Sequence, residues 1–240
     1  YVDDSKEIHQ LISEVITHQK QPIQIKPKEL KDLTDKAFKL KLFKDFRKGE
    51  LKALIESSYP IHPVTLYLLP RISARVAQNE RTLFSFIYSR DLTKMIYPHE
   101  LYDYFSNDMR VDTSTGGTYK QWLETQSALS KIDENETSEI TLKTTCLLGL
   151  GTAGERSKAG RDLLLYSLHG IDKDKVLVTS IDKLIEKKLL LYRRHNDEVS
   201  VWHGTDLDLR GRLAEEKNRT KDQFDLITFL AKEAPPAAWY

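Results

Sequence analysis

The residues in this chain that could do chemistry are few, and the best placed are the quartet Gln78-Asn79-Glu80-Arg81. It stands between two helical runs, downstream of Tyr59-Pro60-Ile61-His62-Pro63 and upstream of Thr82-Leu83-Phe84. Polar residues at a helix junction suit a loop that meets a ligand or another domain. The same composition also describes a solvated helix-helix corner. The only glycine-rich run is Gly149-Leu150-Gly151-Thr152-Ala153-Gly154-Glu155-Arg156-Ser157-Lys158. A P-loop needs lysine directly after glycine and then Ser or Thr, so that ammonium and hydroxyl reach phosphate and magnesium. Here Glu155 follows Gly154, and its carboxylate repels phosphate. Gly116-Gly117 lacks the lysine and the hydroxyl as well, and reads as a flexible connector.

Other chemistries find no foothold. The seven histidines show no metal-ligand spacing, and one cysteine cannot build a structural zinc site. No Gly-x-Ser-x-Gly elbow is present. No catalytic residue or metal ligand is therefore assigned, and these residues do not make a self-sufficient enzyme. A second group is basic: Lys173, Lys175, Lys183, Lys187 and Lys188 on one helical run, then Arg193, Arg194 and His195 in a turn. Such a cluster could touch phosphates, with Lys183, Lys187, Arg193 and Arg194 as the candidate nucleic-acid or partner contacts. Asp172, Asp174, Asp182, Glu186, Asp197 and Glu198 lie in the same stretch and cancel much of that charge.

These residues need a scaffold, and 240 of them provide enough material for one large domain or two small ones. The chain is 40% apolar and 30% charged with a net charge of +1, so no global field draws it to nucleic acid or a membrane surface. No apolar run approaches the roughly 20 residues that span a bilayer, and no secretory pattern is visible. Cys146, set among Leu142, Leu147, Leu148 and Leu150, reads as a buried reduced thiol. A cytoplasmic setting without a membrane partner is expected. The start at Tyr1 rather than Met and the Ala-Pro-Pro-Ala-Ala-Trp-Tyr end read as a piece of something longer.

Apolar spacing predicts a mainly α chain. A helix over 4–18 carries Ile8, Leu11, Ile12, Val15 and Ile16, with Ser5 as cap. Helical pattern then runs from Lys28 to about Ser57, with Gly49 as a candidate break and alternating lysines and acids on a solvated face. Leu66, Leu69, Ile72 and Val76 keep the same period after Pro63, and a further block runs from Arg81 to Arg90. A short helix starts at Pro98, 106–118 reads as loop, and Tyr119 to Ile132 reads as helix. The acidic break Asp133-Glu134-Asn135-Glu136 is taken as a domain boundary. Beyond it come helices over 138–150 (ended by Gly149, Gly151 and Gly154), 158–168 and 173–187. A hairpin follows, Leu189–Arg194 with Val199–Trp202, and then helices over 206–219 and 222–232. Three helices followed by a hairpin is the order of a winged helix.

Two of these stretches resemble a known family. Tyr59-Pro60-Ile61-His62-Pro63, Leu69-Pro70 and Gln78-Asn79-Glu80-Arg81-Thr82-Leu83-Phe84-Ser85-Phe86 are similar to a segment of large bacterial P-loop ATPases of the AAA+/STAND type. These act in anti-phage defence, and include the BREX ATPases (BrxC and PglY) and the AVAST-type sensors. Leu191-Tyr192-Arg193-Arg194 with Val201-Trp202-His203-Gly204-Thr205-Asp206 resembles the winged-helix end of the same module. The resemblance implies a helical region with the ATPase lid over 1–132, a winged-helix domain over 137–220, and a C-terminal helix and tail over 221–240. It places His62 and Pro63 near the adenine and makes Arg81 the residue that senses phosphate. Guanidinium suits that role because it stays charged and makes forked bonds. ATP and Mg2+ are implied only through a parent protein, since the P-loop and its parallel-sheet core are absent from this sequence. The implied partners are the chain's own N-terminal ATPase core, further copies in a homo-oligomer, and other defence proteins. Two other readings compete: a DNA-binding winged-helix module with a helical dimerisation region, and a non-catalytic interaction scaffold.

Overall fold

In the computed structural model of the chain, residues 6–19, 23–77, 80–114, 116–132, 135–152 and 159–202 are described, with the backbone alone at 77, 80 and 81. The first helix, α1 (Lys6–His18), turns His9, Ile12 and Ile16 inward. That face is rotated from the expected stripe, because Leu11 is 47% exposed. Proline opens α2 (Pro27–Lys39), at the position where a missing N–H costs nothing. The helical run expected from there to Ser57 breaks at residues 40–47 instead of at Gly49, which lies inside α3 (Lys48–Ser57). Lys41 takes a φ of 53° at the break. Leu42, Phe43 and Phe46 then fold inward as loop residues, and both phenylalanine rings meet His9 edge-on. Their burial, and not a helical period, explains their apolar character.

Residues 63–72 are apolar at nearly every position, and a helix apolar all round belongs in the interior. In α4 (Pro63–Ile72) every residue except Arg71 is buried. The three- and four-residue stripe of Leu66, Leu69 and Ile72 is therefore only part of its contact surface. Pro70 sits inside α4 and cannot donate a backbone hydrogen bond, and the helix widens directly afterwards into a π-helical turn, Ser73–Ala77. Helix α5 (Glu80–Tyr88) follows. The stretch before α4 is tied to a distant segment. Ile96 N–H donates to Pro60 C=O at 2.9 Å, His62 N–H donates to Ile96 C=O at 3.1 Å, and the Thr65 hydroxyl donates to the same carbonyl at 2.9 Å. The Tyr59–Pro60 peptide is cis.

Helix α6 (Pro98–Val111) is longer than expected and takes up residues 106–111 of the expected loop, because Phe105 and Met109 continue its buried face. The loop proper is 112–118, and α7 (Tyr119–Leu129) follows it. Asn135 caps α8 (Glu136–Gly151), its side chain accepting from Ser138 N–H at 3.3 Å. Two buried threonines of α8 bond back one turn, Thr141 to Thr137 C=O and Thr145 to Thr141 C=O, whereas the buried Thr144 hydroxyl has no partner. After α9 (Arg161–Ser167) and α10 (Asp174–Glu186), strands β1 (Leu190–Arg193) and β2 (Glu198–Val201) pair antiparallel with Leu190 opposite Val201.

The described residues are thus mainly helical, with ten α-helices and one two-stranded sheet. A single hydrophobic core runs from Ile12 to Val199 and spans both sides of the acidic break, with α8 packed on α4, α6 and α7 as well as on α9, α10 and β2. Among the described residues no helix is long and apolar enough to cross a membrane. The helices expected over 206–219 and 222–232, the tail, and His203–Asp206 of the hairpin resemblance lie outside the described residues.

Candidate functional site

His62 and Pro63 are fully buried at the head of α4. The His62 ring caps the helix, Nδ1 accepting from Val64 N–H at 3.2 Å. It stacks on Tyr97 at 5.5 Å between centroids and tilts against Tyr166 at 5.1 Å. Burial, with the nearby charges of His169 and Lys36 adding to it, pushes the imidazole pKa down to about 3. His62 is therefore a neutral ring inside the protein, and for either side chain to touch a base this layer would have to open.

A polar cluster covers that layer. His169 follows α9, and its Nε2 lies 3.1 Å from Asp32 Oδ2 and 3.2 Å from Lys36 Nζ, both on α2. Its Nδ1 lies 3.4 Å from Asp174 Oδ1 at the start of α10. Protonated, Nε2 donates to Asp32; unprotonated, it accepts from Lys36. Tyr97 donates its hydroxyl to His169 C=O at 3.3 Å, and Tyr166 donates to Leu33 C=O at 2.7 Å. Burial raises both phenol pKa values, that of Tyr97 to about 12, so both rings act as neutral donors. Sequence reasoning missed this cluster, since partners such as Lys36 and His169 lie 133 residues apart and carry no local pattern.

The segment leading to the quartet has a second feature. Arg71, the one residue of α4 that is not buried, donates from Nη1 to Gly151 C=O at 3.0 Å and stacks over Tyr67 at 4.1 Å. One helical turn on, in the π-helical stretch, Arg75 Nη1 donates to Leu150 C=O at 3.0 Å. Two guanidinium groups thus hold the C-terminal carbonyls of α8, where the unpaired helix-end acceptors attract cations. The four-residue spacing of these arginines was the available signal. Of the quartet, Gln78 and Asn79 lie outside the described residues, and the side chains of Glu80 and Arg81 do too.

The glycine-rich candidates show no phosphate cradle. Gly149 lies inside α8, Gly151 is its last residue, as expected, and 153–158 lie outside the described residues. A Cβ on Gly151 would collide with Leu68, so this glycine permits a close helix crossing. The Gly116-Gly117 loop wraps a carboxylate: Asp112 accepts from Thr118 N–H at 2.8 Å and from the Ser114 hydroxyl at 2.6 Å. Those bonds hold the Asp112 carboxyl below its usual range. Among the described residues no group of three or more His, Cys, Asp or Glu could hold a metal. Cys146 is buried, and desolvation pushes its thiol up to about 12, which removes it as a nucleophile.

The basic residues separate. Lys183 and Lys187 are exposed on and just after α10, and Arg194 is exposed in the hairpin turn. Arg193 is paired with Glu198 at 3.4 Å across the strands. No protein-family model, curated protein or solved structure matches the chain.

Proposed function

We propose that this chain is the lid and winged-helix segment of a bacterial anti-phage defence ATPase, coupling ATP binding and hydrolysis to conformational change and oligomerisation in the cytoplasm. The observation that carries the reading is the hold that Arg71 and Arg75 keep on the end of α8. The helix that leads to the quartet is thereby fastened to the first helix of the α8–α9–α10–hairpin array. That array has the element order of a winged helix, and its members pack on one another. A π-helical turn, which carries Arg75 itself, lies between Arg71 and Arg81, and such turns are frequent at functional sites. Movement at Arg81 would therefore reach α8 through a short, packed path.

ATP and Mg2+ would be held by a P-loop core that these residues do not build. Arg81 is the residue of this chain that would reach the phosphates, while His62 and Pro63 set the start of α4 from inside. The test uses the full-length protein carrying an upstream Gly-x4-Gly-Lys-Ser/Thr loop. Arg81→Ala should cost about 1.5–3 kcal/mol of phosphate interaction, a tenfold to hundredfold loss in nucleotide affinity or ATP turnover. If both stay at the wild-type level, Arg81 is not the sensor.

A further inference from the structure

The turn that leaves α9 fixes its backbone and offers one imidazole more partners than it can serve at once. His169 N–H donates to Tyr166 C=O at 3.1 Å, and the Tyr97 hydroxyl donates to His169 C=O at 3.3 Å. Gly170 takes a φ of 97°, and a Cβ there would lie 2.6 Å from the Tyr97 hydroxyl, so the chain can pass Tyr97 this closely only as glycine. With the backbone held on both sides, a change at the ring must appear in the side chains that face it.

Three charged side chains from two helices face that ring. On α2, Asp32 Oδ2 and Lys36 Nζ lie 3.1 and 3.2 Å from Nε2 and 3.1 Å from each other. On α10, Asp174 Oδ1 lies 3.4 Å from Nδ1. The other groups nearby are committed or apart. Asp172 accepts from Lys173 N–H, Tyr97 and Tyr166 donate to backbone carbonyls, and His62 stays neutral. Lys26, Lys28, Glu29, Lys31 and Asp35 join Asp32 and His169 around a groove of about 560 Å³ along α2.

Nε2 thus meets an acceptor and a donor together, and no single protonation state satisfies both. In the neutral ring a proton on Nδ1 donates to Asp174 and leaves the Nε2 lone pair for Lys36. A proton on Nε2 instead would turn the Nδ1 lone pair toward the Asp174 carboxylate, so the first tautomer is the matched one. In the cationic ring both nitrogens donate, Nε2 to Asp32 and Nδ1 to Asp174, and the Lys36 ammonium faces a like charge in place of its acceptor.

We propose that His169 is a proton-operated latch between α2 and the start of α10, held through Lys36 when neutral and through Asp32 when protonated. The proton comes from solvent, and only hydrogen bonds are exchanged. Each state gives the ring two partners, so the latch moves Lys36 toward the groove without loosening α2. Imidazole is the side chain suited to such an exchange between about pH 5 and 8. The inference does not depend on the chain serving an ATPase.

NMR of the chain labelled with ¹⁵N in histidine and ¹³C in lysine, across that pH range, tests it. His169 and Lys36 signals are assigned by their loss in His169→Gln and Lys36→Met. Neutral His169 should be the Nδ1–H tautomer, and the Lys36 Cε signal should move with the same midpoint as the His169 ring. In His169→Gln the Lys36 signal should stay still over the range. In Lys36→Met the neutral ring loses its donor and should shift toward the Nε2–H tautomer, bonded to Asp32. The proposal falls if the neutral wild-type ring carries its proton on Nε2, a result that needs no variant. It also falls if Lys36 does not follow the His169 midpoint, or still titrates in His169→Gln.

Discussion

Placing a methyl group on Gly151 tests the helix crossing on which the proposed coupling rests. The new Cβ would collide with the end of the Leu68 side chain, which is fully buried in α4. Overpacking of this kind costs about 1–3 kcal/mol, and Gly151 closes α8, so a gain in helix propensity offsets little of it. The crossing would also part the Gly151 carbonyl from Arg71. For a chain of this size, Gly151→Ala should therefore lower Tm by roughly 3–10 °C. Leu68→Ala alone should cost about 3–5 kcal/mol through the cavity it leaves. In the double variant the added methyl sits in part of that cavity. The combined loss should then be smaller than the sum by about 1 kcal/mol or more, in urea denaturation of all four proteins. Additivity within about 0.5 kcal/mol would show that the two residues do not meet, and the α4–α8 crossing described here would be wrong.

Three further outcomes are expected. His62 titrates near 3 in the folded chain and near its ordinary 6.5 when unfolded, so between those values the unfolded state binds the extra proton. Its contribution to stability is complete above 6.5 and is lost as pH falls toward 3, at up to about 1.4 kcal/mol per pH unit; His62→Asn, which keeps a capping oxygen, should flatten that part of a urea-midpoint profile. Arg75→Gln removes the bond to Leu150 C=O and should cost about 1–2 kcal/mol in denaturant unfolding, whereas wild-type stability would mean that water replaces the guanidinium without loss. Cys146 should resist iodoacetamide in the native protein and react once urea unfolds it, as followed by mass spectrometry; fast native labelling would contradict its burial.

The parts of the fold legible in the sequence were those governed by local rules. Proline at the first turn marked α2 and α6, and a polar turn between apolar runs marked the β1–β2 hairpin. The α4 stripe was legible too, but its depth was not. A period in Leu66, Leu69 and Ile72 shows one buried face, whereas Thr65, Tyr67 and Leu68 on the other faces are buried by helices distant in sequence. Glycines were misread for a similar reason. Gly151 does close α8, but its second role, making room for Leu68, has no local mark, and Gly149 lies inside the helix it was expected to end. Charge balance was legible only as a sum. That Asp182 belongs to Arg161, 21 residues away, and not to Lys183 beside it, decides which lysines on α10 remain outward. The histidines were read for metal spacing, and nothing local marked His62 as a helix cap or His169 as the meeting point of α2 and α10.

The all-round burial of α4 also bears on the order of synthesis. Its apolar surface is covered by α8 and α9 among others, and these begin 64 and end 95 residues after Ile72. At a ribosomal rate of about 5–20 residues per second, α4 is complete roughly 5 to 19 seconds before the end of α9. During that interval the stretch from Val64 to Ile72 is a nascent apolar segment that lacks the α8 and α9 part of its native cover.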